Sequence, residues 1–398
     1  MLKEEYIMLQ SIHKNIDHLY DEMVDIRRYL HQHPELSFEE TETSKYIGHF
    51  YEELGIPYKS NIGGNGVIAT LKGGKPGKTI ALRADFDALP IQEENDVPYK
   101  SKNDGVMHAC GHDGHTATLL VLAKVLKTHQ ENIPGTVVFL HQHAEEQPPG
   151  GAKPIVESGA IDHVDAVFGN HLWATTEFGK IETKEGAFMA GTDRFEITVQ
   201  GKGGHGAYPH ETKDAIVIGA EIISKLQTII SRGLDPLKTA VITTGQFNAG
   251  KSFNVIAEQA ELVGTVRYLD KDIQQQVKSK MKQIVEGICQ ANGAEADFRY
   301  YEGYPPVINH SNETKMIFNA AKNVSEVTGT IEAAPQMGGE DFAFYLENKP
   351  GAFFFTGANI PEHTYPHHHP KFNIDERAMP IAAKMLISAY FEYQEHNA

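Results

Sequence analysis

The stretch HACGHDGH, at residues 108–115, places one of the chain's two cysteines among three histidines and an aspartate. Cys110 and His112 are separated by a single residue, so in an extended loop their side chains can point to the same side. A thiolate and an imidazole are ligands that suit zinc or a similar transition metal. The spacing alone is weak evidence, because a buried thiol beside a structural histidine would produce the same pattern.

Two adjacent carboxylates, Glu145 and Glu146, end the segment HQHAEE at residues 141–146. Neighbouring like charges repel each other and usually face solvent, but at the end of a core strand a divalent cation can offset the repulsion. In that case one glutamate can bind the metal while the other stays free to act as a general base. The pair therefore strengthens the metal interpretation and adds a candidate for acid–base chemistry.

Further histidines occur at two distant places in the chain. His171 lies in GNHLW, at the end of a predicted strand, and the run HHH at 367–369 is flanked by prolines and by apolar residues. A solvated surface run is the ordinary interpretation of three consecutive histidines. Five candidate ligands result, namely Cys110, His112, Glu146, His171 and one histidine of 367–369. A closed structural zinc site takes four ligands, so five with a spare carboxylate fit a two-metal hydrolytic site better.

The elements that must position these residues follow an alternating order. Strands are predicted at 66–72, 79–85, 136–142 and 165–172, and a buried helix begins near Asp113. Strands that alternate with helices indicate a mainly parallel α/β sheet. Because ligands bind at the carboxyl ends of the strands in such sheets, the candidate residues are predicted to meet at one edge.

A different pattern occupies residues 187–301. Its predicted elements are a strand at 192–200, a helix at 214–230, strands at 239–247 and 260–269, a helix at 271–290 and a strand at 296–302. This β-α-β-β-α-β order is the ferredoxin-like arrangement. We therefore predict an α/β catalytic domain formed by residues 1–186 and 302–398, with a small α+β domain at 187–301 inserted into it.

The composition is that of an ordinary globular protein, with 398 residues, 40% hydrophobic residues and a net charge of −17. Such acidity disfavours nucleic acid as a partner, because the chain would repel phosphates. No run approaches the roughly 18 apolar residues of a membrane span, and the charged N-terminal segment predicts an amphipathic helix, not a signal peptide. Cys110 and Cys289 do not form a disulfide framework, so we expect a reducing, cytoplasmic setting and no membrane partner.

Longer motifs identify a family. They are HQHPELSFEE (31–40), LRADFDALPIQE (82–93), MHACGHDGHTA (107–117), HAEE (143–146), GNHLW (169–173), GKGGHGAYPH (201–210), FNVIA (253–257), GTVR (264–267), MGGEDFAFY (337–345) and HHHPKFNIDE (367–376). With them the chain resembles, nearly end to end, the M20 metallopeptidase and aminoacylase family. Within this family the chain resembles the subgroup of N-acyl-amino-acid amidohydrolases. That subgroup includes hippurate hydrolases and plant hydrolases of indole-acetyl amino acids. The resemblance implies a zinc-peptidase-like α/β catalytic domain with two metal ions, an inserted ferredoxin-like lid or dimerisation domain, and a homodimer or higher homo-oligomer.

Residue by residue, the resemblance implies as metal ligands Cys110, His112, Glu146, His171 and His368. Glu145 matches the general base. His205, in the inserted domain, matches the residue that polarises the scissile carbonyl, in many members from the neighbouring subunit. Asn254 matches a polar residue that contacts substrate, and Arg267 matches a carboxylate binder. For Arg267 a surface arginine on a strand is an equal alternative on the charge-pairing argument.

Two departures from the family pattern concern the metal site. Cys110 stands where many relatives place a bridging aspartate. Asp85 and Asp87 stand in place of an H-x-D motif, so they are expected to orient ligands and neighbouring loops. The thiolate favours zinc, while the other ligands also accept manganese or cobalt.

The remaining polar residues of 108–115 receive other roles. Asp113 and His115 are predicted to begin the helix that follows, with Asp113 as its N-cap. His108 is left out of the ligand set.

The main functional hypothesis is hydrolysis of the amide bond of small N-acyl amino acids. A water between two divalent metal ions loses a proton to Glu145, which returns it to the leaving amine. The alternative on the same scaffold is a dipeptidase or carboxypeptidase, since only the acyl pocket differs. A metal-stabilised binding protein is disfavoured by the spare Glu145. A cysteine hydrolase is disfavoured because Cys110 and His112 lie too close in sequence to meet as nucleophile and base.

Overall fold

The computed structural model describes residues 3–397, so the first two residues of the predicted N-terminal helix lie outside the described range. The helices are Lys3–His18 (α1), Tyr20–Gln32 (α2), Thr41–Glu53 (α3), His112–Thr128 (α4), Ala152–Glu157 (α5), Ala215–Thr228 (α6), Lys271–Ala291 (α7), Ser311–Ala320 (α8), Ala343–Leu346 (α9) and Ala378–His396 (α10). The strands are Tyr58–Ile62 (β1), Gly66–Lys72 (β2), Lys75–Asp85 (β3), Pro134–Gln142 (β4), Ala166–Trp173 (β5), Lys180–Thr183 (β6), Gly186–Met189 (β7), Gly191–Gln200 (β8), Gly204–His205 (β9), Ala240–Ala249 (β10), Val255–Ile256 (β11), Gln259–Tyr268 (β12), Glu295–Glu302 (β13), Val307–Asn309 (β14), Gly329–Glu332 (β15) and Gly351–Gly357 (β16).

The chain divides into two compact units. The first contains the residues up to Phe188, the segment Ile308–Ala334 and the residues from Asp341 onward. The second contains Met189–Val307 and the short segment Pro335–Glu340. The second unit thus begins close to the predicted start of the insertion at residue 187, and it includes a later segment that the sequence pattern did not assign to it.

An eight-stranded sheet with the order β1-β2-β4-β3-β5-β16-β6-β15 forms the centre of the first unit. The four middle strands, β4, β3, β5 and β16, run parallel, and β2 pairs with β4 antiparallel. The inner half of β3 and almost all of β5 are buried, as expected for parallel strands that are covered on both faces. The carboxyl ends of β3, β4 and β5 therefore lie at one edge, where the candidate residues follow them.

Two helices with buried surfaces on nearly every side fill the core of the first unit. In α4, Leu119, Leu120, Val121 and Leu122 are consecutive and all fully buried. A helix that is apolar all round must lie in the interior, and α10 is buried in the same way. The prediction of a single N-terminal helix is wrong. The chain leaves helical geometry at Leu19, so that two helices, α1 and α2, occupy this segment.

The second unit contains a four-stranded antiparallel sheet with the order β10-β12-β8-β13. Helices α6 and α7 cover one face, and β8 alternates between buried and more exposed positions, as a strand with one covered face must. The element order β8-α6-β10-β12-α7-β13 is the ferredoxin-like order. The predicted fold class, an α/β sheet with an α+β insertion, is confirmed. Between residues 3 and 397, no helix has both the length and the apolar character needed to cross a membrane.

Candidate active site

His112 is held at the start of α4 by the loop that follows β3. Its Nδ1 lies 3.0 Å from the carbonyl oxygen of Asp87 and 3.1 Å from Asp87 Oδ1. Because a carbonyl only accepts, Nδ1 carries a ring proton, and Nε2 is the nitrogen left to bind a metal ion. Nε2 is buried and has no hydrogen-bond partner among the described residues. A buried ring nitrogen whose other nitrogen is fixed in this way has the arrangement of a metal ligand.

Asp87 also fixes the loop after β4, where the two glutamates lie. Its Oδ2 accepts hydrogen bonds from the backbone N–H of Glu146 at 2.9 Å and from the Ser37 hydroxyl at 2.7 Å. Ala144 has a φ of 52°, in the left-handed region that residues with a Cβ rarely adopt. Its N–H donates to Glu40 Oε1 at 2.8 Å. Asp87 and Glu40 together hold the turn that presents the glutamate pair.

Cys110 lies opposite His171, the histidine near the end of β5, with Sγ 3.4 Å from Nε2. His171 Nδ1 donates to the carbonyl of Leu172 at 3.0 Å, so its Nε2 has a free lone pair. A thiolate and an imidazole on one tetrahedral zinc would be separated by about 3.5 Å. His115 ties α4 to this strand end, since its Nδ1 donates to Asp85 Oδ1 at 2.6 Å and its Nε2 accepts from Leu172 N at 2.9 Å.

Two groups of side chains share the Cys110 sulfur. One consists of Cys110, His112 and His171, and the other of Cys110, Glu146 and His368; within each group the ligand atoms lie within 4.8 Å of one another. His368 Nε2 is 3.2 Å from Glu146 Oε2, while the buried Glu146 Oε1 has no hydrogen-bond partner in the described part of the chain. Sharing of one sulfur by two groups is the arrangement that a ligand bridging two ions would have.

The backbone at His368 is held in an unusual conformation. Its φ is 66°, in the left-handed region, and its N–H donates to the Ala109 carbonyl at 2.8 Å. This hydrogen bond fixes the histidine run against the loop that carries the cysteine. Glu145 is only 7% exposed and forms a third group with His112 and Glu146, with the three ligand atoms within 4.8 Å. The carboxylate predicted as the base thus borders the candidate metal positions.

The electrostatics of the cluster favour a cation. Burial disfavours charge on His112, but Asp85, Asp87 and Glu146 outweigh burial and raise its pKa to about 10. Burial raises the pKa of Cys110, and the neighbouring carboxylates raise it further. Carboxylates therefore surround both groups, and a divalent cation would take the place of the protons that these groups otherwise hold. The orphaned His112 Nε2 and Glu146 Oε1 fit such an ion.

The other predicted site residues, His205, Asn254 and Arg267, belong to the second unit. His205 is exposed on β9, and its Nδ1 accepts from Ala207 N at 3.1 Å, so Nε2 carries the proton and can donate. Asn254 is exposed and immediately precedes β11, the strand that pairs with β9. Arg267 lies in another sheet, on β12, where it is partly buried and donates to Thr265 Oγ1 at 2.8 Å. The structure thus groups His205 with Asn254 and leaves Arg267 on a different sheet.

The prediction that Asp113 caps α4 is wrong. The helix begins at His112, and Gly111, with a φ of 101°, occupies the N-cap position. Asp113 is buried in the first turn, where its Oδ2 accepts from Arg27 Nε at 2.9 Å and from His31 Nδ1 at 2.8 Å. The Asp113 carboxylate therefore pairs with Arg27, a distant residue, and does not cap the helix. The sequence pattern gives no signal for the role of Arg27. His31 is present in it only as the first residue of the family motif at 31–40.

Sequence reasoning also left His367 without a role. Its Nδ1 lies 3.6 Å from Cys110 Sγ, so it contacts the same sulfur as the candidate ligands do. Spacing within a run of three histidines cannot distinguish this residue from His368. His108, which is not among the predicted ligands, is buried, and its Nδ1 has no hydrogen-bond partner in the region described.

Comparison with known proteins gives consistent matches. A model of peptidase family M20/M25/M40 matches residues 81–391. The protein YhaA of Bacillus subtilis (strain 168) is 53% identical over 388 residues, which cover 97% of this chain and 98% of YhaA. An N-acyl-L-amino acid amidohydrolase of Geobacillus stearothermophilus is 48% identical over 301 residues, covering 76% of this chain and 81% of that protein.

A solved structure shows the same fold. The crystal structure of Bacillus subtilis YXEP, described as a dinuclear metal binding peptidase of the M20 family, superposes with a TM-score of 0.83 at 39% identity. The match covers 95% of this chain and 99% of YXEP. The resemblance read from the motifs and the hydrolase class are thereby confirmed, and the chain belongs to peptidase family M20/M25/M40.

Proposed function

We propose that the protein hydrolyses the amide bond of N-acyl amino acids, with a water activated by two divalent metal ions. The observation that carries this proposal is the Cys110 sulfur, which belongs to two separate groups of candidate ligands. The names of the relatives support the substrate class, since one of them is an N-acyl-L-amino acid amidohydrolase. The description of YXEP as dinuclear supports the number of ions.

The ligands of the proposed centre form two sets with one shared member. Cys110, His112 and His171 would hold one ion, and Cys110, Glu146 and His368 the other. Ions held by these residues would lower the pKa of a bound water and polarise the substrate carbonyl. Zinc or manganese, with cobalt as a substitute, suits this mixture of one soft thiolate with imidazole and carboxylate ligands.

Glu145 is the proposed general base. Its carboxylate would take a proton from the attacking water while the water oxygen bonds to the amide carbon. When the carbon–nitrogen bond breaks, the same carboxyl would return the proton to the leaving nitrogen. The products are a carboxylic acid and a free amino acid, so atoms and charge balance. The burial of Glu145 beside His112 and Glu146 supports this role.

Three residues of the second unit are proposed to contact the substrate. The protonated Nε2 of His205 is suited to donate to the carbonyl oxygen as negative charge develops there. Asn254 and Arg267 are proposed to bind the free carboxylate of the amino acid. Arg267 donates to Thr265 Oγ1 at 2.8 Å, and Asp193 is the carboxylate whose charge acts on it. If His205 acts from a neighbouring copy, the active form is a homodimer or a larger homo-oligomer.

A thiolate ligand also bears on the setting of the protein. Cys110 and Cys289 are both free and buried, and neither has a disulfide partner within residues 3–397. A metal-binding thiolate persists where thiols stay reduced, so we place the protein in the cytoplasm. Its proposed partners are small substrates, not nucleic acid or membranes.

The function is tested with two substrates that share a leaving group. N-acetylmethionine and glycylmethionine release the same amino acid from the same kind of bond and differ in the acyl part. Protein loaded with zinc, manganese or cobalt should cleave the acetyl compound with the higher kcat/KM. Preference for the dipeptide would assign a dipeptidase or carboxypeptidase activity instead, and no cleavage of either compound by any loaded form would contradict amide hydrolysis.

A further inference from the structure

His367 presents a hydrogen-bond donor to the Cys110 sulfur. Its Nε2 accepts from the backbone N–H of Ala174 at 3.1 Å. A backbone N–H only donates, so Nε2 must be unprotonated and the neutral ring must carry its proton on Nδ1. Nδ1 is the atom that lies 3.6 Å from Sγ. The proton therefore points at Cys110, whose sulfur lies within the distance range of a hydrogen bond and whose backbone is a second acceptor for this ring.

His171 contacts the same sulfur with the opposite ring form. Its Nδ1 donates to the Leu172 carbonyl at 3.0 Å, so the Nε2 that lies 3.4 Å from Sγ carries a lone pair. A lone pair beside a thiolate needs a cation between them, whereas a proton beside a thiolate does not. The two histidines thus differ in what they can do. His171 can bind a metal ion that the sulfur also binds, while His367 can only donate its proton to Cys110.

The ring of His367 is fixed by its neighbours as well as by this pair of hydrogen bonds. It packs on Trp173 with the ring centroids 4.4 Å apart, and its centroid lies 5.0 Å from those of His171 and Phe372. Its orientation is therefore set by the end of β5 and by the loop that follows the histidine run. Rotation of the ring would cost the Ala174 hydrogen bond and this aromatic packing at the same time.

The His367 N–H lies where the Cys110 sulfur is surrounded by negative charge. The Cys110 sulfur is buried, and the carboxylates of Glu146, Glu145 and Asp85 act on it as negative charges. A neutral N–H that points at the sulfur stabilises the thiolate and withdraws part of its electron density. On the basis of the proposed function, we propose that His367 is a positioning residue that donates Nδ1–H to the Cys110 thiolate. It thereby holds the shared sulfur in place and weakens the electron donation from that sulfur to both metal ions.

The test uses cobalt, because a thiolate bound to Co²⁺ gives a sulfur-to-metal charge-transfer band in the near ultraviolet. A hydrogen bond to sulfur lowers the energy of its donor electrons, so removing that bond should move the band to longer wavelength and increase its intensity. His367→Phe keeps a flat ring and removes the donor. His367→Asn keeps a donor close to the position of Nδ1 and should leave the band near that of the wild type.

The histidine run supplies a matched control. His369 stacks on Tyr365 with the centroids 4.6 Å apart, and its Nδ1 accepts from Lys371 N at 3.0 Å. His369→Phe should therefore leave the band unchanged. All variants should bind the same number of cobalt ions as the wild type. Should His367→Phe not fold, His367→Leu takes its place under the same criterion.

Three results are possible that would each contradict a different part of this proposal. An unshifted band in His367→Phe with full cobalt content would show that His367 does not donate to the sulfur. A loss of cobalt from both His367→Phe and His367→Asn would make His367 a metal ligand. Absence of any thiolate-to-cobalt band in the loaded wild type would instead contradict the proposed metal centre, and with it the proposed function.

Discussion

Asp87 accepts the Nδ1–H of His112 twice, through its carbonyl oxygen at 3.0 Å and through Oδ1 at 3.1 Å. The same carboxylate accepts the N–H of Glu146 at 2.9 Å. One aspartate therefore sets the direction of two candidate ligands, one for each proposed ion. This contact is the clearest structural reason to assign His112 Nε2 to a metal.

Asp87→Asn should weaken metal binding without unfolding the protein. The amide can no longer accept on both sides, so either the His112 ring or the Glu146 loop loses its fixed partner. Loss of such an orienting contact typically reduces metal affinity about 10–100-fold. Competition with a chromophoric chelator measures the change. Ser37→Ala removes only the hydroxyl that donates to Oδ2 at 2.7 Å and should have a much smaller effect. Equal affinities in wild type and Asp87→Asn would contradict the assignment.

Glu40 should make the stability of the metal-free protein depend on pH. Burial raises the pKa of Glu40 from 4.5 to about 7. The folded protein therefore keeps a proton that the unfolded chain releases, and stability falls as the pH rises from 4.5 to 7. The loss is at most about 3 kcal/mol. Glu40→Gln cannot lose a proton, so its advantage over the wild type should grow across this pH interval in urea denaturation.

Glu39→Gln is the matched control, because Glu39 is exposed and directly precedes Glu40. It should change stability little, because its side chain faces solvent. A constant difference between Glu40→Gln and the wild type from pH 4.5 to 7 would show that Glu40 does not titrate in this interval.

Arg27 and Arg28 form a natural pair for testing the buried ion network. Both pair with Glu376, but the Arg27 side chain is fully buried and also pairs with Asp113, whereas that of Arg28 is 41% exposed. Arg27→Met leaves buried carboxylates without their cation and should lower the free energy of unfolding by about 3–5 kcal/mol. Arg28→Met should lower it by about 1 kcal/mol or less. Similar losses in the two variants, measured by urea denaturation, would refute this ranking.

Metal removal should leave the fold but lower its stability. Ions that bind only the folded protein stabilise it by mass action, by about 2.7 kcal/mol at a free concentration 100 times Kd. Chelator-treated protein should therefore unfold at a lower temperature and recover on addition of zinc. Cys110→Ala should lose metal, since both groups share this sulfur, while His49→Ala, at an exposed histidine, should not. Unchanged metal content in Cys110→Ala would contradict the thiolate assignment.

The part of the site that the sequence predicts well is the part set by strand ends. The cysteine loop, the glutamate pair and His171 each follow or end a core strand, and parallel strands bring such positions to one edge. The ferredoxin-like insertion was predictable for a similar reason, because it rests on the order of elements. Both predictions rest on local sequence patterns, namely those that mark strands and helices and their order along the chain.

What the sequence could not predict depends on distant partners. His367 and His368 are adjacent, and only their contacts with Ala174 and Glu146 separate a sulfur donor from a candidate ligand. Asp113 has the side chain of an N-cap, but a buried arginine 86 positions away binds it instead. Ring forms and buried ion pairs of this kind are set by tertiary contacts, which local propensity does not contain.

The most direct test of the central claim compares wild type with Glu145→Gln, both loaded with metal, on N-acetylmethionine. Two ions per chain in both proteins, with turnover reduced by about 100-fold or more in the variant, would match the account. Glu146→Gln should differ by losing metal as well. Near-normal turnover in fully loaded Glu145→Gln would contradict the account, because the water would then need no base at this position.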